Sequence, residues 1–101
     1  EPGAELFRLP PHVAVFAAQD GYTLRVGDKE ASFAAEAPLV EAVLAAARET
    51  IVGDEFRVDT FPVFHPGGVP LAHLRVCTYP HVQYDPPARL ALQRLIRERL
   101  A

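Results

Sequence analysis

The chain has 101 residues, half of them apolar and 23% charged, with a net charge of −3; that is room for one domain with one core, and it excludes disordered and fibrous classes. A single cysteine excludes an internal disulfide and a thiolate-rich zinc site, and it predicts a reducing, cytoplasmic setting. No basic segment leads into an apolar run at the start and no apolar stretch reaches roughly 18 residues, so neither an export signal nor a membrane span is predicted.

Residues 1–11 read as a Pro-rich lead, and "HVAVFAAQDGYTLRVGDKEASFAA" then reads as three short strands. Asp20-Gly21 signals a turn, and "GDK" separates Tyr22–Val26 from Ala31–Ala35 closely enough for a hairpin. Alternation puts Tyr22, Leu24, Val26, Ala31 and Phe33 on a core face and Thr23, Arg25 and Ser32 on a wet one. In "PLVEAVLAAARET", Leu39, Val40, Val43, Leu44, Ala47 and Ile51 fall within one arc at about 100° per residue. This predicts an amphipathic helix that Pro38 opens and Gly53 stops.

Two longer strands, 54–64 and 71–79, follow, joined by "HPGGVP". Their register decides which side chains share a face, because a slip of one residue exchanges the faces. Pairing residue i with 136 − i groups Phe56, Val58, Thr60 and Phe64 with Ala72, Leu74, Val76 and Thr78, and needs a loop Gly67-Gly68-Val69. Pairing i with 135 − i groups Phe56, Val58 and Phe64 with His73, Arg75 and Cys77, a poor core, so the first register is expected. The opposite face then carries Phe61, Val63, Leu71, Cys77 and Tyr79, bordered by Arg57, Asp59 and Arg75. Such a patch predicts an interface, most simply a homodimer, anchored by Phe61 and Tyr79. The other cover for it is the lead, Leu6–Pro11.

"DPPARLALQRLIRERLA" predicts a last helix with Asp85 as its N-cap, two prolines at its opening and an apolar stripe of Ala88, Ala91, Leu92, Leu95 and Ile96. Residues 1–85 carry 6 basic and 12 acidic groups, whereas 86–101 carry 4 Arg against Glu98, so this helix is the one basic block. Arg89, Arg94 and Arg97 are the candidate nucleic-acid contacts. Arg94 and Arg97 lie together, Arg89 lies about a quarter-turn away and Arg99 falls inside the apolar stripe, so no continuous phosphate-tracking face forms; an acidic chain is repelled by DNA, and cations near a helix C-terminus suit its dipole without a partner.

"FHPGGVPLAHLRVCTYPH" gathers three of the four histidines and the sole cysteine. His65 and His73 are the candidate metal ligands, as diagonal neighbours in the expected register. No third donor joins them, since His73 and Cys77 lie four residues apart on a strand, roughly 13 Å. No metal or other cofactor is predicted. Cys77 has no histidine base in reach and faces Asp59, whose charge disfavours a thiolate. Gly67 and Gly68 precede a strand, whereas a phosphate-cradling loop opens a helix.

The element order, β-β-β-α-β-β-α, resembles that of the type III secretion chaperones, small acidic α+β dimers that hold unfolded effector segments. The resemblance implies a protein binder. That family begins with a further helix, where this chain has "AELFRLPPH". The expectation is a single α+β domain over 1–101, a mainly antiparallel five-strand sheet with two helices on one face. Its expected role is that of a non-catalytic interaction domain that self-associates through a sheet face. The alternatives are nucleic-acid binding through the last helix, a secretion-chaperone-like protein binder, and a small ligand- or metal-binding enzyme using the His-rich hairpin.

Overall fold

The computed structural model describes residues 3–10, 12–49, 57–78 and 86–100, with the backbone alone for 57–59, 77–78, 86–87 and 100. The Pro-rich lead contains a strand, β1 (Glu5–Leu9). It pairs Glu5 with Phe16 and Phe7 with Val15, leaving Leu6 as the extra residue of a bulge. Leu6 (6% exposed) and Phe7 (0%) both enter the core, and this break in alternation hides the strand's period of two in "ELFRL".

Strands β2 (Val13–Ala18), β3 (Gly21–Val26) and β4 (Lys29–Phe33) continue an antiparallel meander. Tyr22 faces Phe33 and Leu24 faces Ala31; Ala31, expected on the core face, is exposed because β4 is the outermost strand of the sheet. Gly21 has φ 148°, and a Cβ there would lie 2.1 Å from the Phe33 carbonyl oxygen, so only glycine lets β3 start beside the end of β4. The hairpin of β5 (Arg57–Phe64) and β6 (Pro70–Thr78) completes the sheet. The order is β4-β3-β2-β1-β5-β6, six strands against the expected five. β1 thus lies inside the sheet and covers neither face.

The β5–β6 register corrects the expected one: Thr60 faces Arg75, Phe61 faces Leu74 and Val63 faces Ala72, so residue i pairs with 135 − i. Turn geometry supplies the reason. The Gly68 N–H donates to the His65 carbonyl and the His65 N–H to the Val69 carbonyl, both at 2.9 Å. The loop is therefore Pro66-Gly67-Gly68, with Pro66 where its ring presets φ and Gly68 at φ 87°. Pairing then jumps from Phe64–Pro70 to Val63–Ala72, which makes Leu71 the extra residue of a second bulge. That one residue exchanges the faces of β5. Val63 (0% exposed) joins Leu74 and Val76 in the core, and Phe64 takes the other side. Phe56 and the side chain of Val58, expected in the core, lie outside the described residues.

Helix α1 (Glu36–Glu49) packs on β3, β4 and β6, and α2 (Pro86–Leu100) packs on β1, β6 and α1. Of the predicted stripes, Leu39, Val40, Val43, Leu44 and Ala47 from α1 and Ala88, Leu92, Leu95 and Ile96 from α2 join one buried cluster with Phe7, Val15, Leu24, Val63 and Leu74; Ala91 is partly buried against it, and Ile51 lies outside the described residues. Burying a large aliphatic side chain in this way contributes about 1.5–3 kcal/mol. Pro38 falls in the first turn of α1, and Pro86 and Pro87 open α2, where no amide donor is missed. The N-cap expected at Asp85 lies outside the described residues.

Candidate functional site

With both helices on one side, no element among the described residues covers the other side of the sheet. Alternation in β2 turns Val13, Val15 and Ala17 into the core, which leaves Phe16 outward. The bulge at Leu71 leaves Phe64 outward too, opposite Arg8 of β1. Arg8 also faces Ala14 of β2, so strand spacing sets the two phenylalanines on the order of 12 Å apart across β1. Both are half-buried, while Arg8, Arg25, Thr60, Pro62, His73 and Arg75 around them are exposed.

The arginines on this face that have described partners are neutralised within it. Arg8 grips Glu5 through Nη2–Oε1 at 2.5 Å and Nε–Oε2 at 2.9 Å. This hydrogen bond, helped by the opposite charge, raises the Arg8 pKa. Arg25 donates to Glu30 Oε1 from Nη2 at 3.0 Å and Nε at 3.2 Å. Its guanidinium carbon also lies 4.8 Å from the Phe16 ring centroid, a cation–π contact. Apolar side chains framed by charge-matched pairs suit a protein surface.

Of the residues expected to form an interface, Val63 is fully buried, and Phe61 and Leu71 are partly buried against the same core. The backbone of Cys77 pairs with Val58 and not with Asp59; its side chain, like Tyr79, lies outside the described residues. The outward aromatic that sequence reasoning missed had a visible signal, because Phe16 is out of phase with Val13, Val15 and Ala17. Phe64 had none, since its face depends on the bulge.

His73 is exposed opposite Pro62, and His65 stands at the mouth of the turn. Among the described residues no group of three or more His, Cys, Asp or Glu is placed to hold a metal ion. Two of the three candidate nucleic-acid arginines are engaged. Arg97 holds Glu36, with Nη2 at 2.5 Å and Nε at 3.0 Å from Oε1, and Arg89 holds Glu41 through Nε and Nη2. The pairs run in opposite order along the two helices, which makes α1 and α2 antiparallel. The Arg97 pKa is raised, first by its hydrogen bond to Glu36 and then by that charge. The Glu41 pKa is lowered by the Arg89 hydrogen bond, which outweighs the opposing effect of burial. The basic helix is thereby clamped to its neighbour, and Arg94 remains exposed on its far edge.

No family model, curated protein or solved structure matches the chain. No helix among the described residues is long and apolar enough to cross a membrane.

Proposed function

We propose that this chain is a non-catalytic interaction domain that binds protein through the open face of its sheet. The observation that carries the reading is the pair Phe16 and Phe64 on a face that no helix among the described residues covers. Aromatic side chains bring large contact area at small entropic cost and are enriched where protein interfaces gain most of their energy. The nearby arginine–glutamate pairs fit the polar rim such contacts have. The nucleic-acid alternative has less to draw on, because Arg89 and Arg97 would have to give up carboxylate partners before meeting phosphates. The partner class follows from the surface: a protein segment that presents apolar side chains to a flat sheet.

A random peptide library selected against the folded domain tests the reading. Selected peptides should shift the amide resonances of β1, β2 and β5, bind nearly as well in high salt, and lose at least tenfold in affinity on Phe64→Asp. Binding that maps to α2 and collapses with salt would favour the nucleic-acid reading.

A further inference from the structure

We infer that the free edge of β6, with the groove between β6 and α2, joins two copies of this chain edge to edge. β6 ends the sheet order, so one side of its nine-residue backbone faces no strand among the described residues. An edge of this length is a template for pairing, and a second β6 laid antiparallel satisfies it. Beside the edge runs a groove of about 220 Å³ between β6 and α2, whose apolar lining includes Leu71, Leu74, Ala91 and Leu95. Arg94 and Glu98, one turn apart on α2, are its charged lining.

That charge pattern selects the occupant. A two-fold axis through the paired β6 strands sets the two α2 helices antiparallel on the same side. The Arg94–Glu98 edge of one copy then runs along the Glu98–Arg94 edge of the other, so each cation meets an anion. A surface complementary to its own two-fold image is what an isologous dimer requires. The only exposed large apolar side chains among the described residues are sequence neighbours of residues of β6 and α2. Leu90 (63% exposed) precedes Ala91 on α2, and Val69 (60%) precedes Pro70 at the start of β6. Pairing by edges leaves the open sheet faces uncovered and makes them one continuous surface, so this association goes beyond the binding proposed for Phe16 and Phe64.

Sedimentation velocity on the purified chain at tens of micromolar tests the inference. The parent should sediment at twice the chain mass. Arg94→Glu and Glu98→Arg, each at an exposed site, should remain folded by circular dichroism and weaken the dimer at least tenfold, because each creates two like-charge contacts, one on either side of the axis. The double swap Arg94→Glu/Glu98→Arg should restore the dimer. A parent that is monomeric, or a dimer indifferent to both single reversals, overturns the inference. Peptide binding at Phe64 is scored separately and survives either result.

Discussion

Arg8 in β1 stands opposite Phe64 in β5, and at this pair a four-stranded meander and a two-stranded hairpin become one sheet. So short a seam contributes little by itself. The helices bridge it, because α1 touches β3 and β4 on one side and β6 on the other, and α2 touches β1 and β6. Truncating a helix residue at this bridge should destabilise the whole domain, not one half. Leu92→Ala, at a fully buried site, is expected to cost about 2–5 kcal/mol. Urea unfolding followed by circular dichroism should show one cooperative transition in parent and variant alike.

The bulge at Leu71 makes a sharp contrast between neighbours on β5. Val63→Asp places a charge in the core and should leave the chain unfolded. Pro62→Asp, at an exposed position, should keep a parent-like melting temperature. The 136 − i register would reverse the two results.

Gly21 and Gly68 differ although both have positive φ. A Cβ at Gly21 meets the Phe33 carbonyl oxygen, whereas nothing lies within 4 Å of one at Gly68. Gly68→Ala should cost about 1 kcal/mol from backbone strain alone. Gly21→Ala should cost clearly more, since β3 must also move away from β4. Equal losses in chemical denaturation would contradict the close approach.

The interhelical pair Arg89–Glu41 carries a pH signature. The Glu41 carboxyl sits below its ordinary value of 4.5 because Arg89 hydrogen-bonds its charged form. Its contribution is fully present above the ordinary value and is lost as pH falls through the lowered folded one. With Glu41 half exposed, the pair is worth about 0.5 kcal/mol. Glu41→Gln should be less stable than the parent at neutral pH by that amount, and the gap should close in acid. A gap that persists unchanged in acid would assign the loss to something other than charge.

Strands β2 to β4 and both helices were legible in the sequence because their apolar residues keep a regular period, as in Val13, Val15 and Ala17 or Leu92, Leu95 and Ile96. The bulges at Leu6 and Leu71 were not. Each adds one residue to one strand and leaves composition untouched, yet one hid a strand and the other turned Phe61 and Val63 inward. The partners of the arginines were equally hidden. Glu36 lies 61 residues from Arg97 and Glu41 lies 48 from Arg89, so only the packed helices bring them together. Phe16 was readable from alternation; Phe64, the other half of the open aromatic pair, waited on the turn.

The central claim, that the open sheet face binds protein, is tested most directly by a photo-crosslinking phenylalanine analogue at position 64, with a control at the exposed turn residue Asp28. Irradiation in an extract of expressing cells, followed by mass spectrometry, should give discrete protein adducts from position 64 that Phe16→Asp abolishes, and none from position 28. Adducts to nucleic acid alone, or the same products from both positions, would contradict it.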